Sequence, residues 1–204
     1  MPLSPREMKA AILRNLQQNT GRDLDEWKQI IRSRNTNDRR ELVSWLKRDH
    51  GLGQVTAGYL AGEAAAPPGR VDPTDEDLIA AQYEGVRMQL RGILDEVTRQ
   101  ATRLGEDVVV YATKNYVSFR RVRQFAVVKP AGSTGVDLCL VLPTAHAGHR
   151  LHAATSRPND RITHTVSLTS AGDVDTEVVD WIRTAYDQDG ERRRGARSSR
   201  ARVQ

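Results

Sequence analysis

The sequence predicts an α+β fold: a small all-helical N-terminal module, then a mainly antiparallel sheet of four to five strands flanked by a long N-terminal helix and a C-terminal helix. Apolar residues recur at helical spacing in residues 1–62. Apolar, β-branched and aromatic residues dominate much of residues 107–169, as is typical of strands. A stretch with three prolines, residues 63–73, predicts a linker between the two parts.

The helical module begins with helix starts that carry a capping box, in which the N-cap side chain and a Glu three residues later bond each other's backbone N–H. The three pairs are Ser4 with Glu7, Asp23 with Glu26, and Asp38 with Glu41. The third helix is stopped by Gly51-Leu52-Gly53, and residues 54–61 predict a short fourth helix.

Four motifs of this module resemble an uncharacterised bacterial family, domain of unknown function 4287. They are Thr20-Gly21, Glu26-Trp27, Trp45-Leu46-Lys47 and the turn from His50 to Gly53. The resemblance covers about a fifth of the chain and implies a compact helical module with no established activity.

The second part begins with a capping box of Thr74 and Asp77, after which apolar residues keep steps of three and four as far as Leu104. This spacing predicts one long helix. Strands are then expected near residues 107–112, 116–119, 125–128, 136–142 and 162–168, with a polar loop over 143–160. A last helix, led by Asp175 and Glu177, ends this domain at residue 187.

This half also resembles a known family, domain of unknown function 5655. The likeness rests on Thr113 to Phe125, the apolar strand Val136 to Leu142, the strand with His164, Val166 and Leu168, and the helix from Asp175 to Tyr186. It covers about half of the chain. The resemblance implies a nucleic-acid setting, because the domain also occurs fused to restriction-type proteins, but it identifies no catalytic residue.

A basic and aromatic hairpin is the leading candidate for a binding site. Its members are Lys114, Tyr116, Phe119, Arg120, Arg121, Arg123 and Lys129. The cations suit phosphates, and the rings suit the faces of bases. The alternative is a rim of structural arginines beside core aromatics. Alternation places Tyr116, Ser118 and Arg120 on one face and Val117, Phe119 and Arg121 on the other, so at least one aromatic is expected in the core.

The net charge of +5 is concentrated at the C-terminus. Residues 188–204 contain six arginines against two acidic residues, whereas the remaining chain holds 25 basic and 24 acidic residues. Such a tail has little apolar surface to bury, so disorder is expected. It could hold phosphates without reading sequence, or it could serve only to keep the chain in solution.

Metal and catalytic chemistry have weaker support in the sequence. His146, His149 and His152 recur at three-residue steps, which offers a weak metal-binding alternative. The single cysteine, Cys139, lies in an apolar strand and is interpreted as a buried small hydrophobe. The sequence contains no GxSxG elbow, no Walker loop, no HExxH motif and no nuclease-like pair of carboxylates flanking a lysine, so no catalytic residue and no cofactor is predicted.

The helical module admits a helix-turn-helix interpretation in which residues 54–61 form the recognition helix. That helix carries Gln54, Thr56 and Tyr59 but no Arg or Lys, whereas specific readers of DNA commonly use Arg for guanine. Docking to another protein is therefore the preferred interpretation of this module.

The sequence as a whole predicts a non-enzymatic, two-domain, cytoplasmic binding protein with no membrane segment. Its partner is expected to be nucleic acid or a nucleotide, bound by the hairpin. One alternative is a protein-protein adaptor, which would use the helical module and the apolar stripe of the long helix. Another is an enzyme on a small anionic substrate, which would need a concave pocket beside the hairpin.

Overall fold

The structure is a computed structural model that describes residues 5–36, 38–67, 70–155 and 161–201; within these ranges, side chains are described for residues 7–190. The chain forms two compact units, one spanning residues 5–72 and the other holding the chain from residue 73 onward. The helices are α1 (Pro5–Thr20), α2 (Leu24–Ser33), α3 (Arg39–His50), α4 (Gln54–Ala64), α5 (Asp75–Gln82), α6 (Arg91–Thr102) and α7 (Thr176–Ala201). Among the described residues, no helix is both long and apolar enough to cross a membrane. The predicted α+β class is confirmed.

The motif residues of the helical unit pack against one another in its core. Trp27 is only 1% exposed, and its indole N–H donates to Thr20 Oγ1 at 3.1 Å. The His50 ring meets Trp27 and Trp45 edge-on, with centroid distances of 5.0 and 4.6 Å. These contacts account for the Thr, Trp and His of the motif by packing, since aromatic pairs prefer edge-to-face geometry.

The helix caps of this unit follow the sequence closely, with one exception. The capping box of Asp23 and Glu26 is confirmed, and Gly51 ends α3 in the left-handed conformation at φ 65°. The box predicted for Asp38 and Glu41 forms only in part. Asp38 accepts the N–H of Glu41, but the Glu41 carboxylate accepts a hydrogen bond from Thr36 Oγ1 at 2.9 Å instead of returning to the cap. Ser4, which was predicted to cap α1, lies outside the described residues.

The single long helix predicted from Thr74 to Leu104 is wrong. The chain instead forms α5, a 3₁₀ segment over Gly85–Leu90, and α6. Gly85 has a φ of +62°, which a continuous right-handed helix does not permit. The 3₁₀ segment is held in place because Arg87 Nε donates to the carbonyl of Gly132, in the turn between two strands, at 2.9 Å.

In the described part of the chain the sheet contains six antiparallel strands, one more than the upper end of the predicted range. They are β1 (Val109–Ala112), β2 (Val117–Arg120), β3 (Gln124–Ala131), β4 (Gly135–Leu140), β5 (His152–Ala153) and β6 (His164–Leu168). Their spatial order is β1-β2-β3-β4-β6-β5. The additional strand is β5, two exposed residues that pair with β6 inside the segment predicted to be a loop.

One face of the sheet, the inner face, packs on the helices of this unit and forms the core. Its strand residues include Val117, Phe119, Val128, Leu138, Leu140, Val166 and Leu168, all at most 1% exposed. The apolar stripe of α6 is buried in the same core through Ile93, Leu94 and Val97. This stripe is therefore not available to a protein partner, contrary to what the adaptor alternative required.

Helix α7 completes this layer and buries Val178, Ile182, Ala185 and Tyr186, as its spacing predicted. It continues to Ala201, through most of the segment predicted to be a disordered tail. The six tail arginines lie beyond the last described side chain, so their predicted role stays a prediction.

Candidate functional site

The second face of the sheet, which we call the outer face, carries a row of side chains that are mainly polar. Strand register places one residue of each strand side by side across the sheet: Tyr111, Ser118, Val127, Cys139, Thr165 and His152. The inner-face core described above includes none of these six. Because successive side chains of a strand point to opposite faces, the burial of one face by helices leaves this row on the other.

A pocket of about 320 Å³ opens on the outer face. It is lined by Tyr116, Gln124, Val127, Lys129, Cys139, Ala154, Thr155, Ile162 and Thr165. Val127 and Cys139 are nearly buried, at 6% and 5% exposed. The lining thus joins buried apolar groups to an aromatic ring, a cation and several hydrogen-bonding side chains, which is a usual composition for a small-ligand site.

Two of the predicted cations lie on the outer face. The guanidinium carbon of Arg120 is 5.9 Å from the centre of the Tyr111 ring, within range of a cation–π contact. Lys129 Nζ is 3.7 Å from Asp137 Oδ2, and Ser167 Oγ donates to the other oxygen of Asp137 at 3.1 Å. The Lys129 side chain is about half exposed, so this pairing is weak and can be exchanged for a ligand.

The outer face also holds a buried hydroxyl whose bonding is incomplete. Ser118 is 0% exposed, and within the described residues its Oγ has no hydrogen-bond partner. A buried polar atom without a partner costs free energy, so such an atom indicates a place where a ligand could supply the missing hydrogen bond. Ser118 sits between Tyr111 and Val127 in the cross-strand row.

Arg121, predicted to bind an anion, is instead committed to the fold. Its Nε donates to Asp107 Oδ2 at 2.8 Å, and its guanidinium carbon lies 3.9 Å from the centre of the Tyr186 ring. The Tyr186 hydroxyl donates to the other Asp107 oxygen at 2.7 Å. This triad joins the β2–β3 turn, α7 and the segment before β1, and we call it the Arg121 triad.

The electrostatics of the triad agree with this structural role. Burial by itself would raise the pKa of Asp107, but the hydrogen bonds from Tyr186 and Arg121 outweigh it and lower that pKa. Burial, together with the hydrogen bond to Asp107, raises the pKa of Tyr186. Both shifts keep Asp107 charged and Tyr186 neutral near pH 7, which is the state in which the triad bonds.

Arg123 lies in the same turn and is exposed. The turn is held by Asp189, a residue of α7 that is only 4% exposed. Its Oδ2 accepts the backbone N–H groups of Val122 and Arg123 at 2.8 and 2.7 Å. Arg161 reaches the other oxygen of Asp189 at 3.4 Å. The backbone of Arg123 is thus anchored, while its side chain is exposed at the β2–β3 turn.

The two remaining hairpin residues have opposite environments. Phe119 is 0% exposed and lies 6.5 Å from Phe125, ring centre to ring centre, so its ring cannot stack on a ligand. Lys114 is exposed in the turn between β1 and β2, close in sequence to Tyr116 at the pocket. The structure therefore brings Tyr116, Arg120 and Lys129 to one face, with Lys114 and Arg123 at its margins.

The histidine and cysteine residues do not assemble a metal site in the described part of the chain. There, no group of three or more His, Cys, Asp or Glu side chains is placed to hold an ion. Of the three histidines considered, His152 is in β5 on the outer face, whereas His146 and His149 are exposed in the preceding segment. Cys139 is a buried thiol whose Sγ accepts a hydrogen bond from Thr165 Oγ1 at 3.8 Å.

Several pocket residues were not predicted from the sequence as parts of a site. Gln124, Thr155, Ile162 and Thr165 come from three separate stretches of the chain. The alternation of His164, Val166 and Leu168 does place Thr165 on the face away from the core, so this residue could have been found. The others could not, because their proximity depends on β6 pairing with β4 across a long connection.

Comparison with known families supports both resemblances. A family model described as Domain of unknown function (DUF5655) matches residues 79–189, which is more than half of the chain. A model described as Domain of unknown function (DUF4287) matches residues 9–65. No curated protein and no solved structure matches the chain. The DUF5655 match contains the residues of the outer-face pocket, and the DUF4287 match contains the core from Trp27 to His50.

Proposed function

The chain belongs to the DUF5655 family, and we propose that its sheet domain binds single-stranded nucleic acid or a nucleotide on the outer face. The observation that carries the proposal is the pocket of about 320 Å³, whose lining includes Tyr116 and Lys129 together with the nearly buried Val127 and Cys139. Arg120 and Tyr111 lie on the same face. A base needs a ring to stack on, and its phosphate needs a cation nearby.

The proposal is narrower than the hairpin predicted from the sequence. Phe119 and Arg121 are excluded, because one is fully buried and the other belongs to the Arg121 triad. Tyr116, Arg120 and Lys129 remain as ligand contacts, and Lys114 with Arg123 would meet phosphates further along a strand. Aromatic side chains and cations on an exposed antiparallel sheet are also how several RNA-binding folds hold unpaired bases. That parallel is one of architecture, so it supports the expectation that the outer face binds unpaired bases but identifies no ligand.

The test is a titration of the full chain with a labelled single-stranded oligonucleotide over a salt series. Tyr116→Ala should weaken binding by about 5- to 150-fold, because loss of one stacked base costs about 1–3 kcal/mol. Lys129→Gln should lower the slope of log affinity against log salt by about 0.7, the value for one phosphate of a single strand.

The matched control is Arg103→Gln, which removes the same charge from an exposed position at the end of α6. It should leave the salt slope within about 0.2 of the starting value. If the control and Lys129→Gln behave alike, or if Tyr116→Ala binds as tightly as the unaltered chain, the outer face is not the binding surface.

A further inference from the structure

A second charged surface lies in the helical unit, in a groove between α3 and α4. It has a volume of about 650 Å³ and is lined by Arg39, Arg40, Val43, Ser44, Lys47, Gln54 and Gly58. We call it the α3–α4 groove. Its lining contains three cations and no carboxylate. Arg40, Ser44 and Lys47 follow one another at helical steps of four and three, so they lie on one side of α3.

Among the described side chains the three cations of the groove form no ion pair, although the Asp38 carboxylate accepts the backbone N–H of Arg40 at 2.7 Å. Arg39 Nη2 reaches the carbonyl oxygen of Gly58 at 3.3 Å, and Lys47 Nζ donates to the amide oxygen of Gln54 at 2.9 Å. Both partners are neutral. Among the described residues, no acidic group lies within salt-bridge distance of Arg40. The acids of α3 serve other groups, since Glu41 pairs with Arg34 and Asp49 with Arg48.

The placement of Arg40 is unfavourable for the helix alone. It is the second residue of α3, where the helix dipole favours acidic rather than basic side chains. The N-terminus of α4 opens at the other end of the same groove with Gly53 as its N-cap, which offers no side-chain cap. Its first backbone N–H groups therefore add to the donors supplied by Lys47 and Gln54. Arg40 and Lys47 are about 10 Å apart along the axis of α3, so a series of phosphates along the groove would meet these groups in turn.

We propose that the α3–α4 groove binds the phosphate backbone of duplex nucleic acid without reading its sequence. Proteins commonly contact phosphates through Arg and Lys together with Ser and Gln side chains. Helix α4 carries no Arg or Lys in Gln54–Ala64, so it lacks the usual reader of guanine, and sequence-independent contact follows.

The lining favours a phosphate backbone over an acidic polypeptide. Protein partners gain most of their affinity from aromatic or large apolar anchors in closed pockets. In this groove the only large apolar side chain is Val43, and no ring is present. A duplex needs no such anchor, because its charge density of about one phosphate per 1.7 Å of axis supplies the attraction. This proposal is independent of the function proposed for the outer face, which concerns the other unit and unpaired bases.

The experiment measures the affinity of the full chain for a labelled DNA duplex of mixed sequence, by fluorescence anisotropy over a salt series. Arg40→Glu should weaken binding at low salt by at least about tenfold and lower the salt slope by about 1. The loss cannot be assigned to unfolding, because a glutamate in the first turn of α3 favours the helix. Lys47→Gln should lower the slope by a similar amount.

Two matched controls carry the same charge changes elsewhere in the same unit. Arg14→Glu alters an exposed residue of α1, and Arg48→Gln alters an exposed residue of α3 outside the groove. Both should keep duplex affinity within about threefold. Equal losses in controls and groove variants would overturn the proposal, as would a chain that binds no duplex at low salt.

Two further measurements separate the alternatives. Lys129→Gln on the outer face should leave duplex affinity within about threefold, so a failure of the groove and a failure of the outer face give different patterns. Poly-glutamate serves as the acidic polypeptide probe. If it binds in an Arg40-dependent manner while the duplex does not bind, the groove takes acidic proteins and the proposal is wrong.

Discussion

At the scale of single residues, two glycines determine whether the Arg121 triad can form. A Cβ on Gly190 would collide with the Arg121 guanidinium, and a Cβ on Gly105 would collide with the Tyr186 hydroxyl. Asp107 holds both of these groups in place, because it accepts hydrogen bonds from the Tyr186 hydroxyl at 2.7 Å and from Arg121 Nε at 2.8 Å. The glycines are therefore required by the close approach of side chains, and neither has an unusual φ.

This arrangement predicts the effect of Gly190→Ala. The substitution should displace Arg121 from Asp107 and lower the free energy of unfolding by about 1–3 kcal/mol, as overpacking does. Urea denaturation measures the change. The control is the double variant Gly190→Ala with Arg121→Ala, in which no guanidinium remains to collide. It should be no less stable than Arg121→Ala alone, and an additive loss would show that the glycine acts through something else.

At the residue scale, part of the candidate site could be predicted from strand alternation. Alternation along β2 correctly separated Val117 and Phe119 from Arg120, because a strand reverses its side chains at each step. It also placed Arg121 on the face opposite to Arg120, but alternation does not tell whether an arginine binds a ligand or is bonded within the fold. Only the position of Asp107 and Tyr186, 14 and 65 residues away, assigns Arg121 to the fold.

At the scale of elements, the start of a helix was predicted correctly from its capping residues, whereas the interruption of the helix was not predicted. The capping box of Thr74 and Asp77 forms as expected, because its partners are three residues apart. The helix that follows does not continue. Apolar residues keep helical spacing across Gly85, so periodicity alone could not show that the helix is interrupted there. The segment after the interruption is held by contacts distant in sequence, in which Arg87 and Gln89 bond the β3–β4 turn at residues 132 and 133.

The interruption at Gly85 leads to a prediction for this element. Gly85→Ala should lower the free energy of unfolding by about 1–2 kcal/mol, because an L-residue at φ +62° is strained although the space around it is open. Gly92→Ala is the matched comparison, since Gly92 is in α6, has no heavy atom within 4 Å of an added Cβ, and should stabilise by about 0.5–1 kcal/mol. Thermal or urea unfolding of both variants decides the matter: a stabilising Gly85→Ala would mean that the helix is continuous after all.

At the scale of the whole molecule, the separation into two parts was visible in composition, whereas the sheet order was not. Antiparallel neighbours β1 to β4 follow the chain and could be guessed from their turns. The position of β6 beside β4, with β5 outside it, could not, and it is this order that places Thr165 next to Cys139. The outer face is thus a product of topology, which residue patterns alone do not encode.

The two units have separate hydrophobic cores, so a ligand of one should stabilise that unit selectively. Fluorescence can follow the helical unit alone in the variant Trp181→Phe, because the other two tryptophans, Trp27 and Trp45, belong to its core cluster. Far-ultraviolet circular dichroism follows both units. A single-stranded oligonucleotide at about 100 times its dissociation constant should stabilise the sheet domain by about 2.7 kcal/mol.

The expected result is a shift of the circular-dichroism transition with no shift of the fluorescence transition. Tyr116→Ala should remove the first shift at the same oligonucleotide concentration, because the added free energy depends on affinity. The measurement is made in the Arg40→Glu background, so that phosphates bound in the α3–α4 groove do not stabilise the helical unit. A fluorescence shift as large as the circular-dichroism shift that persists in Tyr116→Ala would mean that the ligand is not bound on the outer face, and the assignment would then fail.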